Sequence, residues 1–210
     1  AAMACAEHAR GDGAPVPFSI TLGSRYELAM SWLCPLLTPL AALVEERTLH
    51  LYLGDTPDLL ARVRSGDIDA AVLSARLAEP GLQAQPLHEE RYVFVAAPEH
   101  DPGVLVDVSP DLPLFHYLLE ALGPARQWDF RRHEYMGGIG AIRSRVRQGV
   151  GVAVLPEYFV QQDLEEGRLQ RLLPDQELRT DTFRLIWKTG HPRSDRLVEL
   201  AATLRTHPLR

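Results

Sequence analysis

Residues 59–72 read LLARVRSGDIDAAV, and the period of their apolar positions changes midway. Leu59, Leu60 and Val63 recur at helical spacing, and Gly66 ends that pattern where a left-handed residue closes a helix. Ile68 to Leu73 then reads as a strand. The segment is thus one helix delivering the chain into one strand. Just ahead of it, Gly54-Asp55-Thr56-Pro57 supplies a cap residue followed by proline in the first turn, and Leu49 to Leu53 is the strand that enters it. Further upstream, Phe18 to Leu22 alternates apolar and polar residues as a strand does. Ser24 followed by Glu27 then forms the pattern of a capping box. Leu28, Trp32, Leu36, Leu40 and Leu43 continue at helical spacing, with Pro35 and Pro39 predicting a kinked or interrupted helix.

Strand, helix, strand, helix, strand with short joints implies an α/β fold with parallel pairing and right-handed crossovers. Ligands of such sheets sit beyond the carboxyl ends of the strands. Here those ends are Gly23-Ser24-Arg25, Gly54-Asp55-Thr56 and Ser74-Ala75-Arg76. Leu82 to Leu87, Arg91 to Ala97 and Val104 to Val108 read as further strands, and Leu114 to Leu122 suits a helix. Ile139, Ile142 and Val146 mark another helix, entered through Gly137-Gly138 and ended by Gly149; Val150 to Leu155 follows as a buried strand closed by Pro156. Phe183 to Trp187 is a last strand and Leu197 to Leu204 a terminal helix, while Ala1 to Pro17, with Gly11, Gly13, Pro15 and Pro17, reads as a tail or linker.

Composition narrows the function. The 210 residues carry a net charge of −6 and are 46% hydrophobic and 24% charged, ordinary values for a globular chain. An acidic chain is a poor partner for phosphate backbones, so direct nucleic-acid contact is not expected. Cys5 and Cys34 suggest no disulfide framework and a reducing cytoplasm. No secretory signal and no apolar run long enough to span a bilayer is evident. The eight histidines show no HExxH or Cys/His ligand spacing, and no GxSxG elbow is present. Glu89-Glu90 and Glu165-Glu166 read as solvated faces. Neither a metal, a cofactor nor catalysis is expected.

Two stretches carry a family resemblance. One is residues 59–72, with the helix, the Gly66 turn and the strand after Asp69; the other runs from Ile142 to Tyr158 with 149-GVGVAVLP-156, followed by 164-LEEGRL-169. In this order and spacing they resemble the effector-binding domain of LysR-type transcriptional regulators, over about Phe18 to Leu204. The resemblance implies a type 2 periplasmic-binding-protein-like fold, two α/β lobes joined by two crossover hinge strands with a ligand cleft between them. By that likeness lobe one comprises residues 18–97 plus 183–210, lobe two 98–182, and the hinges lie near Val95-Ala96-Ala97 and Leu185-Ile186-Trp187. The family's N-terminal winged helix-turn-helix is not found in this chain, so DNA contact is expected only through such a domain.

The resemblance places effector contacts at Ser24, Arg25, Ser74, Arg76, Gly137, Gly138 and Ile139. Helix starts with free N–H groups independently favour carboxylates or other anions. Ser24 either meets a ligand or caps its helix, and Arg25 either clamps an anion or is a solvated charge. Phe115, His116 and Tyr117 either stack on a ligand or pack beneath it, and Trp32 is expected in the core. The expected function is a cytoplasmic sensor of a small polar or anionic effector, acting as a homodimer or tetramer with no membrane partner. Its pairing helices would be Leu28–Val44 and Ile139–Gln148, the latter carrying Arg143, Arg145 and Arg147. The alternatives are an extracytoplasmic solute-binding protein of the same fold and, third, a transferase or dehydratase on the same lobes.

Overall fold

The structure is a computed structural model describing residues 16–44, 46–74, 80–123 and 128–209. Two five-stranded sheets divide the chain. In the first, β1 (Phe18–Ser24) lies between β2 (Arg47–Leu53) and β3 (Ala70–Leu73) and is parallel to both; the antiparallel β10 (Asp181–Lys188) and β4 (Leu82–Glu90) complete the order β2-β1-β3-β10-β4. The second sheet has the order β7-β6-β8-β5-β9, built from β5 (Tyr92–Ala96), β6 (Val104–Asp107), β7 (Arg132–Tyr135), β8 (Val152–Pro156) and β9 (Gln170–Arg171). Its β6 is parallel to β7 and β8, and β5 is antiparallel to β8 and β9. Each sheet with its helices is one lobe.

Helices cover both faces. In the first lobe the chain leaves β1 through α1 (Tyr26–Leu28), a π-helical turn (Ala29–Leu33) and α2 (Cys34–Ala42), and α3 (Thr56–Ser65) joins β2 to β3. Leu28, Trp32, Leu33 and Leu40 pack with Ile20, Leu22, Val72 and Leu185 on one face, joined by Leu197, Leu200 and Leu204 of α7 (Ser194–Arg205). Leu59 and Val63 of α3 meet Ile68, Ala71, Leu73 and Ile186 on the other. In the second lobe, strand alternation sends Val93 and Val95 toward α5 (Ile139–Arg147) and α6 (Glu157–Glu165), while Tyr92, Phe94 and Ala96 face α4 (His116–Leu122). No helix among the described residues is long and apolar enough to cross a membrane.

Several local expectations hold to the atom. Asp55 Oδ1 accepts the Asp58 N–H at 2.9 Å as the N-cap of α3, and Gly66 closes that helix at φ 85°. Others are corrected. The Ser24–Glu27 capping box does not form: β1 runs on to Ser24, Arg25 is the N-cap, and it makes no side-chain cap bond. Leu43 is exposed and Leu33 is buried instead. The π turn explains the shift, because each turn with an extra residue rotates the following stripe about the axis. Pro35 accounts for the turn: it has no N–H for the Ser31 carbonyl, and its ring collides with that carbonyl in a regular helix. Leu36 and Leu60 are only half-buried.

The crossovers also lie elsewhere than expected. Tyr92–Ala96 belongs to the second sheet, so the chain changes sheets at Arg91 rather than near residues 95–97. The return falls between Arg171 and Asp181, and Leu185–Trp187 sits inside the first sheet. Tyr92 to Ala96 is buried throughout and pairs with β8 and β9, as a strand inside a sheet does.

Candidate functional site

The carboxyl end of β1 sits where the lobes meet. Gly23 is there because α3 presses close: a Cβ at this position would lie 2.6 Å from Ile68 Cδ1 and 2.7 Å from Leu59 Cδ2. Ser24, next in line, is fully buried, and its Oγ has no hydrogen-bond partner among the described residues. Arg25 donates from Nη2 to Glu90 Oε1 at 3.0 Å and lies 5.9 Å from the Phe183 ring centroid. Its charge is paired while about a third of the side chain stays exposed. Burial is the largest single influence and opposes the Arg25 charge, but the Glu90 carboxylate, Tyr158 and Tyr92 together outweigh it and raise the guanidinium pKa above its ordinary value.

Glu90, the last residue of β4, was read from sequence as half of a solvated pair. Its side chain is fully buried, whereas Glu89 is exposed. Adjacent strand residues face opposite ways, so one carboxylate of such a pair turns inward when the strand is covered. Among the described residues Glu90 Oε2 is buried without a partner, as is the hydroxyl of Tyr158 on α6. Burial first, and the Glu90 charge second, push the Tyr158 phenol above its ordinary range. Its ring sits edge-on to Phe183, centroids 5.9 Å apart.

The crossover itself carries two tyrosines. Tyr92 stacks on Tyr117 with centroids 4.2 Å apart, and the Tyr117 hydroxyl donates to Asp181 Oδ2 at 2.5 Å. Burial and then the Asp181 bond push Tyr117 up to about 12. Of the aromatic trio considered in the sequence, Phe115 packs in the core, Tyr117 joins this stack, and His116 is tilted against Tyr117. Trp32 is core, its indole donating to the His207 carbonyl at 3.1 Å.

Across the junction, Gly137 (φ 71°) and Gly138 lead into α5, whose N-cap Gly138 offers no side chain to the first turn. Ile139 buries its side chain in the second core, so only its backbone belongs to the helix start. Glu27 Oε1, from the opposite lobe, accepts the Gly140 N–H at 3.2 Å. Ser74 is half-buried at the end of β3. Arg76 lies outside the described residues. The structure therefore gathers Ser24 and Arg25 at the same junction as the helix start that follows Gly137 and Gly138. It adds Glu27, Glu90 and Tyr158, which sequence reading missed.

An open groove of about 940 Å³ is lined by Ser31, His88, Arg91, Arg143, Tyr158 and Gln161 among others. None of the described effector-contact residues expected from the sequence lines it. Size alone does not make it the site: Ser24 Oγ and Glu90 Oε2, two of the buried side-chain atoms without a partner among the described residues, lie at the strand ends instead. Tyr158 lines the groove and has a buried hydroxyl. Among the described residues no cluster of His, Cys, Asp or Glu is arranged to hold a metal ion.

The family model described as LysR substrate binding domain matches residues 19–208. The regulator ArgP of Photobacterium profundum is 25% identical over 90% of this chain and 66% of its own length. The activator IlvY of Salmonella typhimurium is 31% identical over 67% of this chain and 52% of its own. The chain thus spans between half and two thirds of these transcriptional regulators. The regulatory domain of CrgA from Neisseria meningitidis superposes with a TM-score of 0.72 at 21% identity, covering 90% of this chain and 98% of that domain.

Proposed function

The chain belongs to the LysR substrate-binding-domain family, and from that premise we propose that it senses a small polar or anionic effector bound between its lobes. The observation that carries the site is the trio of buried, unpartnered polar atoms, Ser24 Oγ, Glu90 Oε2 and Tyr158 Oη. A buried polar atom left without a partner costs about 1–3 kcal/mol. Three such atoms at one lobe junction favour a guest that supplies the missing bonds.

In this reading the domain performs no chemistry. The effector acts through its different affinity for two arrangements of the lobes or of paired domains, and so repositions attached DNA-binding domains in the cytoplasm. The pairing surfaces are the helical stretch Leu28–Val44 of one copy and Ile139–Gln148 of a second. Met30 is exposed on the former, and Arg143 and Arg147 on the latter converge on Asp163.

A thermal-shift screen of small carboxylates, amino acids and aromatic acids tests this. A ligand at one hundred times its Kd adds about 2.7 kcal/mol to stability. A hit whose shift is lost in both Ser24→Ala and Arg25→Ala supports the reading. Hits that persist undiminished in both variants would move the site elsewhere.

A further inference from the structure

The first turn of α5 already holds a carboxylate. Its N-cap is a glycine without a side-chain acceptor, so the leading N–H groups of a nine-residue helix depend on some other partner. Glu27 supplies one from 113 residues away, across the junction between the lobes. The sequence leaves room for it. A Cβ added at Gly140 would stand 3.2 Å from Glu27 Oε1, and one at Gly138 would stand 3.5 Å away. The contact also sits well electrostatically, because the N-terminus of a helix carries the positive end of its dipole.

An independent feature marks the same place as built for a guest. Ser24 and Glu90 are fully buried side chains with unpartnered oxygens, and Ser24 lies three residues before Glu27 on the same strand-to-helix connection. The Tyr158 hydroxyl, also unpartnered, feels the charges of Glu90, Arg25 and Glu27 together. The helix start offers anion binding but is filled by the chain, while the neighbouring polar atoms are buried and unfilled.

We propose that Glu27 is an internal ligand: its carboxylate occupies the anion position on α5, clasps the two lobes, and is displaced by the carboxylate of the effector. The effector half of this statement rests on the function proposed above; the clasp itself does not. The class of effector follows. It carries a compact carboxylate for the α5 amides and a second polar group for Ser24, Glu90 and Tyr158. A ligand that takes over the Gly140 N–H exchanges a bond between lobes for a bond to itself, so occupancy and lobe arrangement are coupled.

The test needs no known effector. Amide hydrogen exchange is followed at Gly140 in the wild-type chain, Glu27→Ala and Glu27→Gln, with the core amide of Val146 as the reference for global stability. Losing a charge-assisted bond of this kind accelerates exchange by about tenfold or more. Gly140 is expected to exchange about that much faster in Glu27→Ala, while Glu27→Gln, which keeps a carbonyl acceptor, stays near wild type. Acetate replaces the atoms that Glu27→Ala deletes. At tens of millimolar, with chloride as control, it should slow Gly140 exchange in Glu27→Ala and leave the other two chains unchanged. Equal exchange in wild type and Glu27→Ala, or acceleration that acetate does not reverse, would overturn the proposal. A failed effector screen would bear on the function alone and leave this result standing.

Discussion

The Arg25–Glu90 pair gives the sharpest prediction because its two members are buried unequally. Arg25 retains 32% of its side-chain exposure and Glu90 retains none. Removing one partner from a buried pair typically costs about 3–5 kcal/mol through the charge left behind. Arg25→Met strands Glu90 with no path to water and should cost about 3–4 kcal/mol. Glu90→Leu strands a guanidinium that is one third solvated, and water screening reduces its cost to about 1–2 kcal/mol. The double variant carries no stranded charge and should resemble Glu90→Leu alone, which sets a coupling of about 3–4 kcal/mol. For a chain of this size each kcal/mol moves Tm by about 2–4 °C, so Arg25→Met is expected to melt roughly 6–16 °C lower. Urea titrations of the four proteins complete the cycle. Single substitutions of equal cost, or a double variant equal to their sum, would refute the reasoning.

Further outcomes follow from the same structure. Ile142→Ala, a fully buried side chain beneath α5, should lose about 2–5 kcal/mol in a denaturant titration, against less than about 1 kcal/mol for Leu43→Ala on the exposed flank. Gly151→Ala sets a Cβ against the Val104 carbonyl oxygen and should give little folded protein by circular dichroism. Gly66→Ala meets no neighbour and pays only for φ 85°, about 1 kcal/mol in the same measurement. Asp163 is buried and carries Arg143, Arg147 and Arg168. Burial alone would raise its pKa, but the hydrogen bonds from Arg143 and Arg168 prevail and hold it below the ordinary 3.8. A depressed folded value means stability that is present above the unfolded pKa and lost as pH falls through the folded one. Acid melts should therefore steepen below about pH 4 in the wild type and less so in Asp163→Asn.

The fold was legible where one stretch of chain settles its own structure. Residues 59–72 carry helix, left-handed glycine and strand, and Asp55 caps a helix whose first turn holds proline; neither needs a distant contact. Ile139, Ile142 and Val146 are buried as their spacing predicts. The failures share a cause in tertiary context. Ser24 and Glu27 have the spacing of a capping box, yet β1 absorbs Ser24 into its ladder and Gly140 of the other lobe claims Glu27. Tyr92–Ala96 looks like any apolar strand, and only pairing decides which sheet receives it. Glu90 resembles its exposed neighbour Glu89 until the strand is covered. The candidate site was legible only in part for the same reason: the family resemblance points to Ser24, Arg25, Gly137 and Gly138, whereas Glu27, Glu90 and Tyr158 come near them only through the fold.

The central claim, an effector bound between the lobes, is tested most directly by mapping amide exchange on the protein saturated with a ligand from the screen. The account predicts slowed exchange at Ser24, Arg25 and Ser74 and across Gly137–Gly140, on both sides of the junction at once. Protection confined to Arg91, Arg143 and Gln161 along the open groove, with the junction unchanged, would contradict it.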